Sequence, residues 1–434
     1  MQRAVDSEPP LLGQLKRYEI ERLFGSRSLG FDLAHPEPTV LTGANGSGKS
    51  TILRTIDSIG SGDWMRLLQL PFGRIVLTFD SRHTISISRQ ESALIIGMDS
   101  DDWRFDPTQL PQVELSESTL PIRRTGVRTW EYRGRVYNER QATRLVAVEQ
   151  MLARDAPPWL VDLPHRFPIL YITDQRLIVD PTLHRDPART SMSSAVSTRR
   201  AVHEAARHLS RTIGITLSDY GLQSQRYDRD FPRRIVQEVA SEADVAPGEL
   251  QALLKQVARE RDALMKVGLL PIEYSTDPFG DLSVPEPAVR KVMRAFLNDT
   301  LQKFAVLDDL RDRIQLFTAF LNQHYEGKRV VVEQEEGFVI RLADTTEGQL
   351  SPADLSSGEQ QILVLAFEML FRAKPGTLVL IDEPELSLNV LWQDSFLDDI
   401  TRMGRSRDLS FLLATHSPVL LGGRDDLKRS LDIN

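Results

Sequence analysis

GANGSGKS, residues 43–50, restricts this chain more than any other stretch. It satisfies G-x-x-x-x-G-K-[ST] between PTVLTG, which predicts a strand, and STILRTIDSIG, where Ile52, Leu53, Ile56 and Ile59 recur at helical spacing. Strand, glycine loop and helix in that order make a phosphate cradle. Gly43, Gly46 and Gly48 let the backbone N–H groups along Ala44, Asn45 and Ser47 curl around phosphate oxygens, and the helix N-terminus adds partial positive charge. Lys49 is placed to reach the β and γ phosphates of a nucleoside triphosphate, Ser50 to coordinate Mg²⁺, and Thr51 to support the helix start or touch a phosphate.

TLVLIDEPE puts Asp382 and Glu383 at the C-terminal edge of a buried strand, the edge at which open α/β sheets bind ligands. Asp382 is placed to hold Mg²⁺ through water, and Glu383 to orient or deprotonate an attacking water. Of eight histidines, His416 alone directly follows an apolar strand, in FLLATHSPVLL, where it would donate to a terminal phosphate. A solvated turn for the carboxylates and a structural role for the histidine are the plainer alternatives. The phosphate loop weighs against both. The other seven histidines have no metal-ligand spacing.

Along the chain, KRYEIERLFGSRSLGFDL predicts two short strands joined by a turn, and RIVLTFD, HTISISR and SALIIGM an antiparallel layer of about three. PILYITDQ, 168–175, is a further buried strand. From residue 181 the pattern turns helical, through RTSMSSAVSTRRAVHEAARHLSRTI, RIVQEVASEADVAPGELQALLKQVARERDALMKVGL and VRKVMRAFLNDTLQKFAVLDDLRDRIQLFTAFLNQHY. No sustained heptad register runs through these segments, so a compact helical insertion is expected in place of a long coiled-coil arm. Strands return with RVVVEQ and GFVIRL, then strand TLVLID, helix VLWQDSFLDDITRM, strand SFLLAT and a short tail. The expected fold is an α/β head, a mixed sheet with a phosphate-loop core plus an antiparallel β layer, split by an inserted helical lobe. Residues 12–180 are its first half, 181–328 the insertion and 329–434 its second half.

LSSGEQQ, 355–361, is a polar turn ahead of the apolar helix ILVLAFEML, about 300 residues after the phosphate loop. Alone it predicts a helix N-cap, with Ser356 or Ser357 satisfying free N–H groups. Taken in order with GANGSGKS, TLVLIDE, SLN at 387–389 and His416, it resembles the ABC-type ATPase superfamily: Walker A, signature, Walker B, D-loop and switch histidine. The resemblance implies ATP and Mg²⁺ as cofactors and hydrolysis of ATP to ADP and phosphate. It further implies a head-to-tail dimer or larger homo-oligomer, in which Ser356 and Gly358 of one protomer contact the γ-phosphate held by Lys49 of another, with Ser357 and Glu359 as further ATP-binding residues of the signature. For the glutamine that senses Mg²⁺ in that family, Gln175 is the candidate by position, with Gln69 and Gln90 as alternatives.

The long separation of Walker A from LSSGE is similar to SMC-like and OLD-like heads, where an insertion splits the core. LFG at 23–25, LSSGEQQILVL, IDEPELSLNVLWQ and ATHSP followed by GRDDL are more similar to stand-alone ATPases of bacterial defence islands. Those include the AriA-type ATPases of the PARIS anti-phage system and, more distantly, PtuA of Septu. Asn389 departs from the histidine common in them, and the 18 residues beyond His416 hold no Toprim nuclease of the kind found in OLD proteins.

A net charge of −8 argues against indiscriminate coating of nucleic acid. No apolar run approaches the roughly 20 residues of a membrane helix, and zero cysteines exclude disulfides, thiolate zinc and cysteine nucleophiles. A cytoplasmic protein with no membrane partner is expected. No lysine occurs between Lys49 and Lys255, and residues 121–144 hold seven arginines interleaved with Trp130, Tyr132 and Tyr137. That text fits a phosphate-and-base contact surface or a solvated strand face. The acidic clusters DSDD, 99–102, and LDDLRD, 307–312, are expected on the surface away from strand ends, so no nuclease constellation is recognised. Two functions follow. One is an ATP-driven sensor or switch in anti-phage defence, triggered by a phage protein and controlling a separately encoded effector, a Toprim-like nuclease. The other is an SMC-like ATPase of DNA repair or chromosome maintenance, binding DNA directly through residues 121–144 and Arg199, Arg200, Arg207 and Arg211. A transporter subunit is disfavoured by the motif spacing.

Overall fold

Strands dominate the first hundred residues, as their apolar and polar alternation requires. The computed structural model describes residues 9–115, 122–124, 129–132, 135–172, 190–241, 244–271, 286–343, 348–351, 354–387 and 390–431. β1 (Leu15–Leu23) and β2 (Arg27–Asp32) form a hairpin, β3 (Thr39–Thr42) runs into the phosphate loop, and α1 (Lys49–Ser61) and α2 (Trp64–Leu68) follow. β4 (Arg74–Phe79), β5 (Thr84–Gln90), β6 (Ala93–Met98) and β7 (Asp101–Phe105) pair antiparallel in succession, and β1 joins β4. The antiparallel layer therefore has six strands, ordered β2-β1-β4-β5-β6-β7, and not about three. The reason is register: Tyr18 and Ile20 on β1 stand opposite Leu77 and Ile75 on β4, and all four bury in one core, so the first hairpin cannot remain apart.

DSDD, expected away from strand ends, lies on the β6–β7 hairpin: Asp99 occupies the turn, and Asp101 and Asp102 open β7. Its members are exposed and locally bonded, Asp99 to His83 at 2.7 Å and Asp101 to Trp159 Nε1 at 2.8 Å. Next come β8 (Arg123–Arg124), β9 (Thr129–Tyr132) and β10 (Arg135–Asn138) as a small antiparallel sheet, then α3 (Glu139–Asp155), α4 (Pro158–Val161), α5 (Leu163–Arg166) and β11 (Ile169–Ile172).

The remaining elements are α6 (Thr190–Ala240), α7 (Pro247–Lys266), α8 (Pro287–Phe304), α9 (Asp308–His324), β12 (Lys328–Glu333), β13 (Gly337–Leu342), β14 (Gln349–Leu350) and α10 (Ser357–Phe367). A π-helical turn (Glu368–Arg372), β15 (Leu378–Asp382), α11 (Val390–Arg407), β16 (Ser410–Ala414) and β17 (Lys428–Ser430) follow among the described residues. Two helical segments expected to be separate join across residues 214–233 into α6, 51 residues and so about 76 Å long at 1.5 Å per residue. Conversely, the single segment expected from residue 234 divides at 241–246, where Pro247 fits the first turn of α7. α6 is held along its C-terminal half by α8: Arg234 and Lys303 donate to Asp299 and Asp228 at 2.6 Å each, and Phe231 meets Phe296.

The chain forms two compact units, residues 1–201 with 368–434, and residues 202–367. Strands β12 to β14 and the LSSGE turn therefore group with the inserted helices. In the first unit a five-stranded sheet, β11-β15-β16-β3-β17, is parallel at every pairing, and the expected tail supplies its last strand. α1 buries Ile52, Leu53, Ile56 and Ile59 in a core shared with Leu41, Leu380 and Leu412 of this sheet and with Ile20, Ile75 and Leu77 of the antiparallel one. The Tyr18 hydroxyl and Thr55 Oγ1, 2.7 Å apart and both buried, fix α1 to β1. In the second unit Phe317 packs on Phe338 and Phe367, with ring centroids 5.7 and 6.4 Å away.

Candidate active site

β3, β15 and β16 run the same way and end level, because Leu41 pairs with Ala414 and Ala414 with Asp382. Their C-terminal edge collects the chemistry of the first unit. Gly46 and Gly48 have φ of 79° and 101°, the left-handed region where a Cβ is disfavoured, and Gly48 is the N-cap of α1. The N-terminal end of a 13-residue helix thus faces into the loop. Lys49 is 4% exposed and folds over the same loop. Its Nζ donates to Gly43 O at 2.7 Å and Ala44 O at 3.2 Å, and stands 3.5 Å from Ser47 Oγ and 3.4 Å from His416 Nδ1. An ammonium can only donate, so Nδ1 is the accepting nitrogen and the ring proton belongs on Nε2. Nε2 lies 3.7 Å from Glu383 Oε1. Asn45 is exposed at the loop, and Thr51 is half-buried in the first turn of α1.

Ser50 Oγ donates to Asp382 Oδ1 at 2.8 Å, and the Tyr171 hydroxyl donates to Oδ2 at 3.1 Å. Two hard oxygen donors side by side at a helix N-terminus suit Mg²⁺, so the residues present fit that ion. Burial, then the charge of Asp382, pushes the Tyr171 phenol well above its usual range, which keeps it a donor to the carboxylate. Glu383 holds a φ of 50°, a conformation costing a non-glycine residue about 1–3 kcal/mol. Its N–H donates to Ala414 O at 2.8 Å, pinning the strained residue to the neighbouring strand.

The sequence did not single out Tyr171 or Glu385. Tyr171 carries a faint signal, a phenol in the apolar strand ILYI. Glu385 Oε1 accepts the His416 backbone N–H at 2.7 Å, whereas its buried Oε2 has no hydrogen-bond partner among the described residues. Gln393 supports the same turn, receiving Ser417 Oγ at 3.0 Å and reaching Glu385 O at 3.4 Å.

The structure brings together the loop residues, Lys49, Ser50, Asp382, Glu383 and His416. Gln175 and Asn389 lie outside the described residues. Of the alternatives, Gln69 caps α2 and Gln90 ends β5, so neither sits on the parallel sheet. Ser356, Ser357, Gly358 and Glu359 belong to the second unit. There Ser356 N–H donates to the Glu359 carboxylate at 2.7 Å, which turns that side chain inward. In the arginine-rich stretch, Arg123 and Arg124 are exposed and the Arg124 guanidinium stands 6.0 Å over the Trp130 ring. Arg207 and Arg211 are exposed on α6, and the LDDLRD carboxylates bond arginines of α9, as Asp308 does Arg311 at 2.7 Å.

Residues 226–422 match the family profile described as "AAA domain, putative AbiEii toxin, Type IV TA system". Over 93 residues the chain is 32% identical to the thiamine import ATP-binding protein ThiQ of Chelativorans sp. (strain BNC1), 21% of this chain and 35% of that protein. The chain thus spans about a third of that relative's length. A solved Smc head domain from Pyrococcus furiosus, bound to the C-terminal domain of ScpA, is similar over 94% of this chain and 91% of that one, at 14% identity and a TM-score of 0.39. The SMC head domain from Thermotoga maritima covers 94% and 91%, at 12% identity and a TM-score of 0.36. The profile covers less than half of the chain, taking in residues 355–359, Asp382, Glu383 and His416 but not the loop at 43–50, and the relative matched over part of its length is an ATP-binding protein. Among the described residues no helix is long and apolar enough to cross a membrane.

Proposed function

We propose that this chain binds ATP with Mg²⁺ and hydrolyses it, pairing head-to-tail with a second copy, as a switch in anti-phage defence that controls a separately encoded nuclease. The observation that carries the reading is the convergence of Lys49, His416 and Glu383, with Ser50 on Asp382, at one sheet edge. Lys49 and the loop N–H groups would take the phosphates, and Ser50 and Asp382 would hold Mg²⁺, which supplies neutralising charge on phosphate oxygens. Glu383 would accept a proton from water as the water oxygen bonds the γ-phosphorus and ADP leaves. His416 would donate a hydrogen bond from its Nε2–H to a γ-phosphate oxygen. The defence role draws on the matched family description, which names a toxin and a toxin–antitoxin system.

Mass measurement tests the pairing: Mg²⁺ and ATP should double the mass of the purified chain, and a mass indifferent to nucleotide would exclude an ATP-driven dimer. Glu385 supplies a second test. Removing its hold on the His416 N–H, Glu385→Ala should lower turnover about tenfold, the worth of one charge-assisted hydrogen bond, with ATP affinity unchanged. Glu385→Gln, which keeps an accepting oxygen, should retain most of the activity.

Direct DNA binding by an SMC-like ATPase is the second reading, favoured by the exposed arginines and the Arg124–Trp130 contact. Binding measured across a salt series decides it, since contacts to phosphate give a steep loss of affinity with salt.

A further inference from the structure

α10 begins in a set of contacts that a nucleotide-facing role for Glu359 does not explain. Glu359 is 8% exposed. Its carboxylate accepts the Ser356 N–H at 2.7 Å, and its own N–H meets Ser356 Oγ at 3.3 Å, a reciprocal capping box. Both carboxylate oxygens also receive Lys328 Nζ, at 2.9 and 2.7 Å. One residue carries a third contact, since the buried Tyr325 hydroxyl donates to the Glu359 carbonyl at 2.7 Å. Burial opposes the charge on Glu359, but Lys328 and the Ser356 N–H outweigh it and hold the carboxyl below its usual range. The carboxylate therefore stays ionised and paired at neutral pH. Tyr325 follows the last residue of α9, and Lys328 opens β12.

We propose that Lys328, acting through Glu359, is the positioning residue of the signature. It fixes the first turn of α10, and so Ser356, for the γ-phosphate held by a second copy. This rests on reading residues 355–359 as the signature. A capping box alone leaves the first turn of a helix free to fray. A two-pronged ion pair across to β12 removes that freedom, and Tyr325 ties the same turn to the end of α9. The placement of Ser356 then depends on the α9–β12 corner, and anything that shifts α9 alters turnover without touching the phosphate loop.

Lys328→Met alone would leave a buried carboxylate unpaired and endanger the fold. The deciding variant is therefore Lys328→Met with Glu359→Gln, which removes both charges while glutamine can still complete the capping box. In the full chain this double variant should melt near the parent. Amide hydrogen exchange over residues 355–362 should rise, and kcat for ATP should fall about tenfold with KM moving less than about twofold, the loss expected when a displaced Ser356 forfeits one charge-assisted contact to a γ-phosphate that is met only in the closed dimer. Lys328→Arg, which keeps charge and donors, should restore both readouts. A folded double variant with parental exchange, or with parental turnover, overturns the proposal. A parent that hydrolyses no ATP instead sinks the ATPase reading, and the exchange measurement still decides whether Lys328 holds the turn.

Discussion

Exchanging Glu383 for glutamine should slow ATP hydrolysis about 10²- to 10⁴-fold, the range for loss of a general base, while ATP remains bound. Glutamine matches glutamate in shape, and the strained backbone at this position is held by the Ala414 carbonyl and not by the carboxylate. What disappears is the capacity to accept a proton beside His416 Nε2, 3.7 Å away. With hydrolysis blocked and binding intact, the ATP-bound dimer should accumulate. Quenched-flow phosphate release and mass in Mg²⁺ and ATP measure the two halves. Turnover at the parental rate removes Glu383 from the role of base.

Lys49→Ala should weaken ATP binding about 10- to 100-fold, since hydrogen bonds to a charged group each contribute about 1.5–3 kcal/mol. The side chain is 4% exposed and its Nζ already lies among loop carbonyls, so it need only exchange the Gly43 and Ala44 oxygens for phosphate oxygens. Arginine should not substitute. A planar guanidinium is broader than an ammonium, and the loop closes tightly around Nζ. Titration with a fluorescent nucleotide reads the loss, and parental affinity in a folded Lys49→Ala chain would place the phosphates elsewhere.

The placement of the candidate site was legible because it is written in contiguous words. GANGSGKS encodes a backbone path through its glycines, and TLVLIDE and FLLATH each place polar residues directly after a buried strand. Contacts set by tertiary structure were not legible in the same way. Glu385 matters through the His416 backbone N–H, 31 residues away in sequence, and Tyr171 through Asp382, 211 residues away. Glu359 was expected at a ligand because the resemblance puts it there. Its inward turn depends on Lys328, whose place at the head of β12 no local pattern connects with α10. The six-stranded layer was undercounted for a related reason: alternation identifies strands, but only pairing shows that β1 and β4 share a sheet.

The level strand ends have a consequence for tolerance of insertion and deletion. β3 has four residues and is paired on both sides, by β16 and by β17, so Leu41 is locked against Ala414 and Arg429 at once. Side chains alternate faces along a strand, and one residue added or removed inverts everything beyond it. The site is therefore a matter of phase: a single deletion within 378–381 or 410–414 would leave every candidate side chain of the site in the sequence and carry Asp382 or His416 out of step with the rest.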